Sequence, residues 1–134
     1  MTDKANRELA KLAASSSYNP TVHALLAVDF VGRFSLAVEY PPEWRVVEVR
    51  VAAHSLANDV KATRHRQLFT TVAAGRHELG IYSSVKNRTK LLAGVTVDCA
   101  PGTRTLVTIT PSQSHMSRPI EDATLVVTSL DEAT

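Results

Sequence analysis

The chain has 134 residues, of which 44% are hydrophobic and 5% aromatic, and its formal net charge is +2 at pH 7. This length predicts one domain that buries a core without disulfide bonds or metal ions, filled mainly by Val, Ala and Leu. No window reaches the roughly 18 consecutive apolar residues that a membrane-spanning helix requires. The single cysteine excludes an intramolecular disulfide, and a polar amino end replaces the apolar segment of a secretory signal, so we expect a cytoplasmic protein.

The first fourteen residues predict a short amphipathic helix. Ala5, Leu9 and Leu12 form one apolar stripe at helical spacing, and three serines follow the helix as a linker. A helix of this length is marginal in water by itself, so we expect the stripe to dock either on the chain's own sandwich or on another protein. The predicted division is a helix and linker over residues 1–17 and a β domain over residues 18–134.

Alternating apolar and polar residues dominate the next part of the chain. From Val22 to Tyr40 the even positions are apolar or glycine, which predicts β-structure with one buried face. A strand of nearly twenty residues is far longer than usual, so we expect the run to fold back at Gly32. Residues 47–53 alternate with the opposite parity and predict a further strand. Residues 54–65 lack alternation and predict a helical turn or a long loop.

Five more strand patterns occupy the second half of the chain. They span Gln67–Val72, Arg76–Ser83, Lys90–Cys99, Thr103–Thr110 and Thr124–Leu130. About eight short strands at regular spacing predict an all-β fold, an antiparallel β-sandwich with a short N-terminal helix. Between the third and fourth patterns, Pro101-Gly102 predicts a type II turn in which Gly102 has a positive φ.

Two turn motifs carry a resemblance to a known family. Ala74-Gly75-Arg76-His77 opens one predicted strand, and Val95-Thr96-Val97 followed by Pro101-Gly102 joins the next two. Over residues 45–111 these motifs resemble the last strands of PEGA-type and carboxypeptidase-regulatory-like immunoglobulin-fold modules. The resemblance implies an immunoglobulin-like sandwich with a non-catalytic, adhesive or spacer role. The Pro-Glu-Gly-Ala signature of that family is absent from this chain.

The sequence lacks the residue patterns of common catalytic and metal sites. Its five histidines are far apart, and it has neither a glycine-rich phosphate loop nor the elbow motif of a serine nucleophile. Cys99 alternates with Val95 and Val97, as a buried core thiol does. We therefore predict that the chain is not an enzyme and that it binds no metal ion or cofactor.

Positive charge is concentrated in the middle of the chain, where residues 61–90 carry seven Lys or Arg and one Glu. We call these seven cations the basic segment: Lys61, Arg64, Arg66, Arg76, Lys86, Arg88 and Lys90. Such a segment attracts nucleic acid or other anions, but it is also compatible with a solvated face. Stacking aromatics are scarce beside it, which argues against a single-strand reader.

The sequence therefore predicts a non-catalytic interaction or assembly module. It binds a protein partner or self-associates, through the N-terminal helix or through a sheet edge. Val95–Cys99 and Leu125–Leu130 carry few charges, which favours association at an edge. The alternative is a sequence-nonspecific anion or nucleic-acid binder that uses the basic segment.

Overall fold

The structure, a computed structural model, describes residues 2–31, 46–52, 54–61, 65–85, 88–112 and 122–131. In this part of the chain one helix, α1 (Thr2–Ala13), precedes eight strands. The strands are β1 (His23–Phe30), β2 (Val46–Val51), β3 (His54–Lys61), β4 (Arg66–Ala73), β5 (Gly75–Val85), β6 (Arg88–Cys99), β7 (Arg104–Ser112) and β8 (Asp122–Ser129). Sheet A has the strand order β4-β1-β7-β8, and sheet B has the order β3-β2-β5-β6. The chain is thus mainly β-structure in two sheets with one short helix, as predicted.

An aliphatic core lies between the two sheets. Alternate side chains of each strand point to it, as the two-residue period of a strand requires. Its fully buried members include Val28, Phe30, Val49, Leu79, Ile81, Val107 and Ile109. Cys99 is 1% exposed in the same core, so the predicted buried thiol is confirmed. Burial, helped by the negative charge of Asp98, raises the pKa of this thiol.

The prediction that all strands are antiparallel is wrong for β1. This strand pairs antiparallel with β4, from His23↔Ala73 to Phe30↔Arg66, but parallel with β7, where Leu25 lies opposite Arg104. A period of two looks the same in a strand of either direction, so the sequence pattern does not distinguish these pairings. The predicted fold at Gly32 lies outside the described residues.

The prediction of a helical turn or a long loop over residues 54–65 is also wrong for residues 54–61. His54–Lys61 forms β3, which pairs antiparallel with β2. The register of this pair shifts on either side of Val49, and a bulge of this kind adds an unpaired residue. The extra residue interrupts the alternation that would have marked a strand.

Helix α1 lies on the outer face of sheet A. Ala5 and Leu9 are 1% and 0% exposed and pack against Leu25 and Ala27 of β1, with Leu12 at the margin of this cluster. The helix thus docks on the chain's own sandwich, one of the two surfaces that the sequence left open. Because α1 covers the outer face of β1, this strand is buried on both faces, and the prediction of one buried face is wrong.

The turn between β6 and β7 has the predicted geometry. Gly102 has a φ of 75°, and the N–H of Thr103 donates to the carbonyl of Ala100 at 3.1 Å, which together define a type II turn. The N–H of Gly102 also donates to the carbonyl of His23 at 2.8 Å. The turn therefore ties β7 to the beginning of β1.

Candidate functional site

Strand β8 ends sheet A and, among the described strands, pairs with β7 alone. The pairing runs without a register shift from Thr105↔Ser129 to Ser112↔Asp122. Residues 123–129, Ala-Thr-Leu-Val-Val-Thr-Ser, include no charged residue and no proline. Charges and prolines are the usual means by which a protein prevents another strand from pairing with an edge. This stretch of β8 has neither.

The hydrogen bonds between β1 and β7 show which way the backbone of β7 points. The N–H of Leu25 donates to the carbonyl of Thr103, and the N–H of Val31 donates to the carbonyl of Ile109, both at 2.9 Å. The odd-numbered residues of β7 therefore direct their backbone groups towards β1. Since the direction alternates along a strand, the even-numbered residues of β7 face β8.

The same alternation identifies the backbone groups of β8 that point away from β7. Even-numbered residues of β7 lie opposite even-numbered residues of β8, and the N–H of Leu130 indeed donates to the carbonyl of Arg104 at 2.9 Å. The N–H and C=O groups of Leu125, Val127 and Ser129 consequently point away from β7. They form a row with which no other strand pairs in the part of the chain that the structure describes.

The side chains at this edge are accessible on both faces of the sheet. Val126, on the outer face, is 52% exposed, and Val127, on the face that carries the core residue Val107, is 42% exposed. Neighbouring residues of a strand point to opposite faces, so both faces of the sheet are accessible at these two positions. Leu125, two residues earlier, is partly buried against the core, where β6 of sheet B approaches β8.

The stripe of α1 is not open in this way. Ala5 and Leu9 are buried inside the chain, and Leu12 is partly buried beside them. A partner could reach this stripe only after the helix had left sheet A. The two predicted association surfaces therefore differ in the structure, because one is covered and the other is exposed.

The basic segment is partly gathered at one end of the sandwich. Lys61 ends β3 and Arg88 begins β6, and the register of β2 with its two neighbours places both at the same end of sheet B. Arg66 begins β4, five residues after Lys61, and Lys90, which is exposed, is the third residue of β6. We call this group the basic end.

The remaining cations of the segment do not join that group in the described structure. Arg76 lies near the opposite end of β5, where its Nε donates to the carboxylate of Asp98 at 3.0 Å. Both side chains are 74% exposed, so the pair contributes little to stability. Arg64 and Lys86 lie outside the described residues.

Sequence reasoning missed a buried carboxylate on the outer face of sheet A. Asp29, which the alternation had assigned to a solvent-facing position, is 3% exposed, and its carboxylate contacts Nε2 of His65. Its neighbour across the β1–β4 pair, Gln67, has a buried Oε1 without a hydrogen-bond partner in the described part of the chain. A buried carboxylate is costly unless it is paired, so His65 stabilises Asp29 at this position. In the sequence, the position of Asp29 within the apolar run of β1 was the signal that this carboxylate is buried.

The outer face of sheet B carries a shallow depression of about 410 Å³. Gly80 and Gly94 face each other at its floor, and the guanidinium of Arg50 lies 4.5 Å from the ring centroid of Tyr82 at its wall. Arg50 also forms an ion pair with Glu48. The cation is therefore already engaged within the sheet.

Comparisons with protein-family models, curated proteins and solved structures give no match. Function is therefore argued from the surfaces of this chain. Within the described ranges, no group of three His, Cys, Asp or Glu residues is placed to share a metal ion. No helix in that part of the chain is both long and apolar enough to cross a membrane.

Proposed function

We propose that this chain is a non-catalytic interaction module that associates with another polypeptide through the edge of β8. The observation that carries the proposal is the row of backbone groups on Leu125, Val127 and Ser129, which points away from β7 and pairs with none of the described strands. An added strand pairs with such a row, and the exposed valines beside it supply apolar contact. The other predicted surface, the apolar stripe of α1, already packs against sheet A, which supports β8 as the interface.

The proposal includes an immunoglobulin-like sandwich as the scaffold of this edge. Its support is the path of the chain, which crosses between the two sheets from β3 to β4, from β4 to β5 and from β6 to β7. Such crossings are typical of Greek-key sandwiches, in which interaction surfaces form on a rigid frame.

A photo-crosslinking amino acid at position 127, introduced into the chain in the cell that produces it, tests the proposal. Position 22 is the matched control, because Val22 is 52% exposed but precedes β1 and lies outside any strand. We expect crosslinked products at position 127 well above those at position 22. Equal yields at the two positions would contradict an interface at β8.

A second candidate function, binding of nucleic acid or other anions without sequence preference, is favoured by the basic end. Fluorescence anisotropy with a generic duplex and a generic single strand at two salt concentrations tests it. Affinity should fall steeply with salt, because each phosphate contact releases a condensed counterion. Lys90→Gln should weaken binding, whereas the control Arg76→Gln should not. Absence of binding at low salt would reject this function.

A further inference from the structure

The two sides of the sandwich close differently. On one side β6 approaches β8, and Leu125 of β8 packs against the core. On the other side, where β3 and β4 are the end strands of sheets B and A, a cleft of about 440 Å³ lies between the sheets. Because this side is opposite to β8, the proposed interface does not account for the cleft.

We propose that this cleft binds a small uncharged molecule with an apolar body and one hydrogen-bond donor, the chemistry that indole represents. Sites for small molecules have volumes of about 300–1,000 Å³, a range that includes this cleft. A cavity of about 150 Å³ already holds benzene, so two fused rings fit here. The chemistry of the ligand follows from the apolar surface, the charge and the hydrogen-bonding groups of the lining.

Both sheets contribute apolar side chains to the cleft. Val51 of β2 is 6% exposed, and Leu56 of β3 and Val72 of β4 are partly buried against the core. Val72 lies opposite the core residue Ala24 in the β1–β4 pair, so its side chain points between the sheets. An apolar molecule in the cleft would remove the remaining exposed surface of these side chains from water, which is favourable.

The charge of the lining favours an uncharged ligand. Among the described residues that line the cleft there is no Asp, Glu, Lys or Arg, and the polar ones are His, Ser and Thr. The basic end is distant, because β3 runs from His54 at the cleft to Lys61 at the other end of sheet B. An ionic ligand would find no opposite charge here, and the burial of an unpaired charge is costly.

His77 contributes a hydrogen-bond acceptor of defined tautomer. It precedes the core residue Leu79 by two positions on β5, so its ring faces sheet A, where Nε2 lies 2.5 Å from the carbonyl oxygen of Ala73. A carbonyl oxygen can only accept, so Nε2 carries the proton and Nδ1 of the neutral ring is an acceptor. Nδ1 has no hydrogen-bond partner among the described residues. It is therefore available to a donor of the ligand.

Thr70 contributes a second acceptor. It lies opposite the core residue Leu26 in the β1–β4 pair, so its side chain also points between the sheets. Its hydroxyl donates to the carbonyl of Thr71 at 3.3 Å, which leaves the lone pairs of the oxygen to accept. Both groups thus accept hydrogen bonds, and a ligand that donates one complements them.

The turn beside the cleft has a strained backbone. Val51 pairs with His54 across this turn, and Ala52, which also lines the cleft, has a φ of 53°. Such positions usually hold Gly, Asn or Asp, because a larger side chain meets the steric penalty of left-handed geometry. Residues in this conformation cluster at ligand-binding sites, which supports a binding role for the cleft.

Titration of the purified full chain with indole, followed by NMR, tests the proposal. We expect saturable shifts of the amide signals of Val51, Leu56 and Val72, which line the cleft, and none at Val127 on the opposite side of the sandwich. Absence of saturable shifts at the three cleft residues, or shifts elsewhere only, would overturn the proposal.

Two relatives of indole test the chemistry of the ligand on the same unmodified chain. N-methylindole has the same body without the donor, and we expect it to bind about fivefold more weakly than indole, as the loss of one hydrogen bond implies. An indole carboxylate adds a negative charge and should also bind more weakly. Equal affinity of N-methylindole, or tighter binding of the carboxylate, would overturn the proposed ligand class.

His77→Gln separates the acceptor from the structural contact of the ring. The Gln amide keeps an N–H near the position of Nε2 for the carbonyl of Ala73 but has no acceptor at the position of Nδ1. We expect H77Q to lose the preference for indole over N-methylindole and to bind N-methylindole as the parent chain does. Glu78→Gln is the matched control, because Glu78 is the exposed neighbour on the other face of β5, and it should keep the preference. A preference retained in H77Q would overturn the match between donor and acceptor.

Discussion

Two regions of sheet A differ in exposure: α1 covers one of them, and the side chains of the other are exposed to solvent. Over β1 and β4, α1 covers Leu25 and Ala27, which are each 1% exposed. At the edge of β8, Val126 and Val127 are 52% and 42% exposed. A helix of 12 residues is about 18 Å long and covers only part of a four-stranded sheet. The comparison indicates that α1 contributes buried apolar contacts to the fold, whereas β8 is the strand through which we propose association.

Removal of a buried side chain on the covered side should have the largest effect. Leu9→Ala leaves a cavity between α1 and sheet A, and we expect it to lower the free energy of unfolding by about 3 kcal/mol and the Tm by roughly 10 °C. Leu91→Ala, the same substitution at a residue that is 53% exposed, should cost less than about 1 kcal/mol. Circular dichroism during heating measures both. Similar losses in the two variants would contradict docking of the helix.

A pair of proline variants sharpens the comparison within β8 itself. The N–H of Val126 faces β7, so Val126→Pro removes a hydrogen bond of the ladder and should lower the free energy of unfolding by about 2 kcal/mol. The N–H of Val127 points away from β7, so Val127→Pro should cost less than about 1 kcal/mol and yet weaken the proposed association through this edge. Urea unfolding and sedimentation report the two properties. The opposite order of stabilities would show that the assigned backbone directions are reversed.

A substitution in the turn that joins β6 to β7 should have the next largest effect on stability, because this turn is hydrogen-bonded to the beginning of β1. A side chain at the positive φ of Gly102 meets the steric penalty of left-handed geometry, and its Cβ would lie 3.3 Å from the carbonyl of Pro20. Gly102→Ala should therefore lower the free energy of unfolding by about 1–2 kcal/mol. Pro101→Ala keeps an allowed φ and serves as the control, to be measured by the same urea unfolding. Equal stability of G102A and the parent chain would contradict the type II turn.

The smallest expected effect is on the pH dependence of the free energy of unfolding. Burial and then the charge of Asp98 raise the pKa of Cys99, so the folded chain retains a thiol proton at a pH where the unfolded chain has lost it. Since the folded state binds more protons there, the free energy of unfolding should decrease as pH rises above the ordinary thiol pKa of 9.0. Cys99→Ala should remove this part of the decrease. Urea unfolding at pH 7, 9 and 10 measures it, and equal slopes in both proteins would contradict a buried thiol.

Local patterns predicted several features of the fold well. The stripe of Ala5, Leu9 and Leu12 predicted α1, and Pro101-Gly102 predicted the turn, because spacing and backbone preference act over a few residues. Alternation around Cys99 predicted its burial for the same reason. Where a bulge broke the alternation, as at Val49, the prediction of strand β3 failed.

The candidate site was predictable only in part. The sequence marked Val95–Cys99 and Leu125–Leu130 as stretches with few charges, and the structure places the first in β6 and the second in β8 and the residue after it, at the ends of sheets B and A. Which side of β8 faces away from β7 depends on hydrogen bonds between β1 and β7, which are far apart in the chain. The burial of Asp29 likewise depends on its position in the sheet and on His65, thirty-six residues away.

The sequence by itself determined the elements of this protein: a helix with one apolar stripe, strands with a two-residue period, a glycine turn and a core thiol. These depend on neighbours within one turn or a few residues, where side-chain spacing and allowed backbone angles decide the outcome. The tertiary structure alone decided the parallel pairing of β1 with β7, the cover of α1 over one part of sheet A and the position of β8 beside β7. Those features require contacts between distant segments, and strand order is set by which apolar faces can be buried together rather than by any local pattern.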